Sequence, residues 1–310
     1  MLKMMLRPLF AAALLLAPAP VLAAPNVVAT IKPLQSLVAM VMAGVGEPTL
    51  LVRGAASPHA YSLRPSDAEA LGKADLVFWT GHGMELFLED KLATLAPNAT
   101  LVDMSESEGL TLLPLREGGT FEPHADDAAH AGDHAGTHGN ERDMHYFLDP
   151  ENARVMLRAI AAALSKADPA DAAAYAANAE KADATLAALS ADIATKLAPV
   201  QGKPFIVFHD AYQYFEARFG VQAAGSITVS ADLAPGAGRV RDIREKLKTL
   251  GAACVFAEPQ FDPARIAVFL EGTGAKAAEL DPEGASLTEG AGLYPALVTA
   301  LAENLVSCLT

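Results

Sequence analysis

From Ala170 to Leu197 the chain contains neither glycine nor proline, and Asp168-Pro169 and Pro199 bracket the stretch. Asp168 with Pro169 reads as an N-cap followed by proline at the first helical position, and Pro199 as the stop. Within it, Tyr175, Ala179, Ala182, Leu186, Leu189, Ile193 and Leu197 recur every three or four residues, which lines one face of a helix. A helix from Pro169 to Leu197, within the linking stretch 168–198, would hold about 29 residues and span about 44 Å. That length predicts a stiff backbone running past two lobes; two shorter helices inside one lobe are the alternative. A total of 310 residues suits two domains.

On either side of this stretch, short β-type runs alternate with helical segments. The first half offers strands at Asn26–Ile31, Thr49–Arg53, Asp75–Thr80 and Thr100–Asp103; the second at Pro204–Phe208, Ser226–Val229, Ala253–Ala257 and Lys276–Leu280. Helical segments such as Leu34–Ala43, Asp67–Gly72, Arg239–Leu250 and Pro263–Gly272 separate them. Ser66 with Glu69 has the spacing of a capping box. Such alternation implies an α/β fold of two parallel-sheet lobes covered by helices. The expected division is a leader over 1–23, an N-terminal lobe over 24–167, the connecting helix over 168–198 and a C-terminal lobe over 199–310.

Lys3 and Arg7 lead into an apolar run ending at Leu16, and Val21-Leu22-Ala23 puts small residues at a cleavage site. This pattern predicts a secretory signal peptide, and the run is shorter than a spanning helix of about 20 residues. No cysteine follows the cleavage site, which argues against a lipid anchor there. Removing the leader's two bases takes the formal charge from −14 to −16. Such an acidic chain is a poor partner for nucleic acid or anionic membrane. Export also permits Cys254 and Cys308 to form a disulfide, which would stabilise the C-terminal half by about 4 kcal/mol in the chain-entropy model. Two free buried thiols are the alternative.

The segment Glu117–Asp143 differs from the rest: seven acidic residues, one arginine, and His124, His130, His134 and His138. Without hydrophobic periodicity it reads as a polar surface loop, whose spaced imidazoles and carboxylates would make weak, exchangeable metal ligands. The other histidines are His59, His82, His145 and His209. His59, His82 and His209 follow predicted strands, as do Glu258 and Asp281. Ligands of open parallel sheets bind beyond the carboxyl ends of the strands, so these groups point toward a cleft between the lobes. A single histidine at a strand end is more often structural than ligating. Several converging from two lobes suit zinc, since three neutral imidazoles favour it over cations that want oxygen cages.

Five segments, in order along the chain, carry a resemblance. Gly54-Ala55-Ala56-Ser57-Pro58-His59-Ala60-Tyr61-Ser62-Leu63-Arg64-Pro65-Ser66-Asp67 resembles the first metal-site motif of bacterial high-affinity zinc-uptake solute-binding proteins, the ZnuA-like receptors of ABC transporters. Asp143-Met144-His145-Tyr146-Phe147-Leu148-Asp149-Pro150 is similar to the second, after a His/Asp-rich loop, and Val207-Phe208-His209-Asp210-Ala211-Tyr212-Gln213-Tyr214-Phe215 to the third. Cys254-Val255-Phe256-Ala257-Glu258-Pro259-Gln260 and Leu280-Asp281-Pro282 resemble later segments. The resemblance implies a long rigid helix joining the lobes, metal between them, and His59, His145 and His209 as ligands. Related manganese receptors carry a carboxylate at the position of His209, and a nitrogen there favours zinc.

Two departures bear on the site. Pro58 stands where some members have a glutamate, which leaves Asp281 or water as fourth ligand. Gly81-His82-Gly83 replaces an expected Pro-Glu type sequence, leaving His82 to support a ligand from behind, to act as an alternative ligand, or to be a surface or satisfied histidine. The implied function is a monomeric periplasmic receptor that captures Zn2+ and delivers it to an ABC permease at the inner membrane, without catalysis. A manganese or iron receptor on the same scaffold is the alternative. A secreted zinc hydrolase is the third reading, with Asp210 or Glu258 as its base, although no His-Glu-x-x-His helix is present. A metal-dependent adhesin is a further, lesser one. In each zinc reading, binding should weaken below about pH 6, where unperturbed imidazoles protonate.

Overall fold

The computed structural model describes residues 24–116, 121, 142–228, 237–251, 253–261 and 264–310. The leader assigned to 1–23 and the histidines His124, His130, His134 and His138 lie outside the described residues. Among those described, eight strands form two four-stranded parallel sheets. The first contains β1 (Val27–Ala29), β2 (Thr49–Leu50), β3 (Leu76–Trp79) and β4 (Thr100–Asp103), ordered β2-β1-β3-β4. The second repeats that order as β6-β5-β7-β8, from β5 (Phe205–Val207), β6 (Ala223–Ser226), β7 (Cys254–Ala257) and β8 (Lys276–Glu279).

Side chains on successive strand residues point to opposite faces, and both faces of each sheet are apolar. Val27, Ala29, Leu76 and Phe78 join Phe205, Val207, Cys254 and Phe256 in one central core that spans both lobes. Val28, Val77 and Trp79 instead pack outward in the first lobe, and Ile206, Phe208 and Val255 do so in the second. Helix α1 (Lys32–Val41) is buried along most of its length. It packs on α4 (Pro150–Ala167), α5 (Ala172–Leu197) and the C-terminal α9 (Leu293–Leu309).

The connecting helix α5 has 26 residues, or about 39 Å at 1.5 Å per residue. Its buried stripe is Tyr175, Ala179, Ala182, Leu186, Ile193 and Leu197, with Leu189 partly buried against the same core. It starts at Ala172 rather than Asp168, because Asp168 ends the preceding helix: its N–H donates to Leu164 O at 2.8 Å. The Asp168 carboxylate accepts from the Tyr175 hydroxyl at 3.0 Å, so the turn between α4 and α5 is pinned to the core.

Local readings needed two corrections. Helix α2 (Pro65–Gly72) begins before Ser66, with Pro65 in its first turn. Asp67, not Glu69, closes its cap by accepting from Arg64 N–H at 2.8 Å, while Glu69 pairs with Lys73 at 2.6 Å. The expected strand Ser226–Val229 lies at Ala223–Ser226, though Ile227 and Thr228 N–H still bond Val207 and Phe208 O at 2.9 Å. The remaining helices are α3 (Leu92–Leu95), α6 (Gln213–Phe219), α7 (Ala237–Leu250) and α8 (Ala264–Leu270). Cys254 and Cys308 form the expected disulfide, joining the start of β7 to the end of α9 with Cα atoms 6.2 Å apart.

Candidate metal centre

The carboxyl ends of the two sheets meet at three histidines. His59 comes from a single 3-10 turn, Pro58–Ala60, after β2; its backbone N–H donates to the Ser57 hydroxyl at 3.3 Å. His145 sits just before the 3-10 turn Tyr146–Leu148. His209 directly follows β5, separated from it only by Phe208. One ring nitrogen from each lies within 4.8 Å of the other two. The Nε2 atoms of His59 and His145 are 3.3 Å apart, as are those of His145 and His209.

The opposite nitrogens explain why these rings face one another. His145 Nδ1 lies 2.8 Å from Asp143 Oδ1, which also accepts the His145 backbone N–H at 3.0 Å. His209 Nδ1 lies 2.7 Å from both oxygens of Glu258. Nδ1–H donates to the carboxylate, which leaves Nε2 of the neutral ring as a bare lone pair. Two such lone pairs at 3.3 Å repel unless a proton or a metal ion sits between them. The Tyr212 hydroxyl holds Glu258 in turn, donating toward Oε1 at 3.2 Å and to Leu280 O at 2.9 Å.

Protonation follows the same division. Burial, then the neighbouring His209, pushes His145 down to about 3, with Asp210 opposing. Burial, then His145 and His209, holds His59 well below the ordinary imidazole value. Burial also acts to lower His209, but the Glu258 carboxylate outweighs it and leaves His209 raised. Asp143 is pushed up to about 7 by its own burial, against the pull of the His145 N–H and Arg116. Two of the three imidazoles are thus held neutral, as metal ligands must be.

The rings open on a cavity of about 10 Å³, the space of one small ion or one water. Beside the histidines its walls include Glu258, Gln260 and Glu283. Asp281 is not in this wall. Its Oδ1 accepts from Gln260 Nε2 at 2.9 Å and from the N–H groups of Glu283 and Gly284 at 3.0 and 2.9 Å. Its Oδ2 accepts from Ala285 N–H at 2.5 Å. Glu283 is buried and held well above the usual carboxylate range, first by burial, then by Asp281, Glu85 and Glu258, with Lys32 opposing.

His82 is placed away from these rings. Its side chain is 71% exposed, edge-on to Trp79 with centroids 4.9 Å apart. Gly81 before it has φ +116°, and a Cβ there would come 2.6 Å from Asp103 Oδ1, which accounts for a glycine at this point. Sequence reading missed Asp143 and Glu283. An Asp two residues before a ligating His is a visible signal for the first; the second depends on tertiary placement alone.

The sequence matches the family described as zinc-uptake complex component A, periplasmic, over residues 27–308. The high-affinity zinc uptake system protein ZnuA of Brucella suis biovar 1 (strain 1330) is 48% identical over 307 residues, 92% of each chain. That of Yersinia pestis is 37% identical over 313 residues, covering 99% of this chain and 98% of its own. A crystal structure of ZnuA superposes with a TM-score of 0.76 at 23% identity, covering 93% of this chain and all of that one. The SBP FpvC from Pseudomonas aeruginosa in complex with Mn2+ superposes at 0.74 and 22% identity, covering 92% and 98%. At those identities the structural likeness concerns the fold. The match along nearly the whole chain, with relatives covered over more than nine-tenths of their own length, makes this protein a member of the zinc-uptake complex component A family.

Proposed function

We propose that the protein captures Zn2+ between His59, His145 and His209 and passes it to an ABC-type permease of the inner membrane. The observation that carries this reading is the convergence of the three Nε2 atoms, His145 lying 3.3 Å from both His59 and His209, with the Nδ1 sides of His145 and His209 fixed to carboxylates. Three neutral nitrogens suit zinc better than manganese, whose preferred donors are oxygens. The relatives named for high-affinity zinc uptake support the same cargo.

Delivery rather than turnover fits the surroundings. The two carboxylates closest to a catalytic-base role are both engaged: Asp210 is gripped by Arg116 and Glu258 by His209 and Tyr212. With this reading go a cleaved leader over 1–23, a periplasmic monomer, and the division at 24–167, 168–198 and 199–310. His124, His130, His134 and His138 serve as weak accessory ligands that gather zinc without forming the main site.

Titration of metal-free protein with Zn2+ and Mn2+ against a chelating dye tests the proposal. One tight Zn2+ equivalent is expected, with Mn2+ weaker. His209→Ala should cost at least about a hundredfold in zinc affinity, since structural sites share roughly 10–16 kcal/mol among four ligands. Wild-type zinc affinity in that variant, or a preference for Mn2+, would overturn the reading.

A further inference from the structure

Besides Asp67 and Asp149, which accept N–H groups at helix starts, five carboxylates lie in or beside the segments that carry the histidines, and four of them have hydrogen-bond donors. Asp143 receives His145, Glu258 receives His209 and Tyr212, and Asp210 receives Arg116. Asp281 receives Gln260 and three consecutive backbone N–H groups. Those contacts take both Asp281 oxygens, so turning that group toward a metal would strip a whole loop of its acceptor.

Glu283 is the exception. It is 8% exposed and lines the cavity with the three imidazoles. No hydrogen bond reaches its carboxyl among the described residues. The cation nearby, Lys32, directs two of its three donors to Gly284 O at 3.0 Å and Ala285 O at 2.7 Å. Lys32 and Asp281 therefore fix the backbone around Glu283 while leaving its side chain unattached. A buried carboxyl without a donor is unfavourable, and it faces a site built to receive a cation.

We propose that Glu283 is the fourth ligand of the bound Zn2+, an oxygen donor completing the tetrahedron begun by His59, His145 and His209. The inference rests on the three-histidine reading above and gives its coordination shell a last member. The three nitrogens already lie within 4.8 Å of one another and Glu283 is outside that group, so its carboxylate must swing toward the ion by rotating about its side-chain bonds. Tetrahedral zinc accepts His nitrogen and carboxylate oxygen together. One carboxylate also lowers the charge of the filled site from +2 to +1, which a buried cavity favours.

Glu283→Gln and Glu283→Leu test this in the full-length protein, with His209→Ala beside them. Zinc affinity is read by dye competition, coordination by the visible absorption of the Co2+ complex, and folding by urea unfolding of the metal-free form. Both Glu283 variants should bind zinc at least tenfold more weakly and shift the Co2+ spectrum. Their metal-free unfolding midpoint should stay level or rise, because an unpaired buried acid is gone. A ligand thus moves affinity and stability in opposite or independent directions. Wild-type affinity and spectrum in both variants, with His209→Ala impaired, would give the fourth position to water and overturn the proposal. A joint fall of affinity and midpoint in both variants would make Glu283 structural and overturn it equally. Tight zinc binding by His209→Ala would instead defeat the three-histidine reading itself.

Discussion

Each of the three histidines carries a different electrostatic load, and proton competition for the metal falls unequally on them. His145 is pushed to about 3 and His59 well below its ordinary value, so neither takes up a proton in the metal-free protein near neutrality. His209 is raised, because Glu258 outweighs its burial. A raised value means the proton is held at and above the ordinary imidazole pKa of about 6.5. Zinc must displace that proton, so affinity should fall as pH drops to and below the raised His209 value, by about tenfold per unit for this proton alone. The onset lies above the pH 6 expected for unperturbed imidazoles. Nitrogen-15 spectra of the metal-free protein check the assignment: His209 should titrate above the ordinary imidazole value, and His145 and His59 well below it. Titration of His145 near 6.5 would contradict it. The convergence of the three histidines was legible in sequence because strand ends and motif order both mark them. Glu283 was not, since Asp281 two residues earlier carries the same chemistry. Which of the two collects the backbone N–H groups is settled by the loop, where Gly284 adopts φ +69°.

At the scale of elements, His145 is held in place by segments distant in sequence. The strand pieces flanking the His-rich segment meet at an isolated antiparallel bridge, Pro114 to Arg142. Helix α6 of the second lobe clamps this strap. The Tyr214 hydroxyl donates to Asp143 O at 2.6 Å and accepts from Leu113 N–H at 2.8 Å. Gln213 Nε2 donates to Pro114 O at 2.9 Å, and Arg116 reaches Asp210 and Glu216. From the other side Tyr146 donates to Thr80 O at 2.6 Å. Tyr214→Phe should therefore leave a buried carbonyl and N–H without their partner, at a cost of about 1–3 kcal/mol. Urea unfolding of the metal-free variant measures this directly, and a loss below about 0.5 kcal/mol would show that the clamp is not tight. None of these side-chain pairs is readable from spacing, because they join residues 66 to 101 positions apart. The alternation of strands and helices was legible, yet β6 was displaced. Its sequence, Ala-Ala-Gly-Ser, has little β-propensity, and pairing with β5 decides its place.

Across the whole molecule, the disulfide and the metal centre occupy opposite ends of the second sheet. Cys254 opens β7, and Glu258 follows directly after its last residue. Reduction should lower the unfolding free energy by up to about 4 kcal/mol while one zinc equivalent still binds. Calorimetric unfolding and metal titration of reduced, alkylated protein check both halves; loss of the tight equivalent would mean that the bond also supports the site. The two-lobe plan was legible because one long glycine-free and proline-free run separates two strand sets. The shared core was not, since it arises from α1, α4, α5 and α9 packing together across the junction. That packing has a consequence for signalling. The backbone passes from one sheet to the other once, through a rod that is itself embedded in the core, and Lys32 stitches the first lobe to loop carbonyls of the second. Such a body has little freedom to clap shut like two hands. Whether it is full or empty must then be written locally, in the rotamer of one side chain and the charge of one small chamber. A permease reading this receptor would read a change of surface at the chamber's mouth, not a change of silhouette.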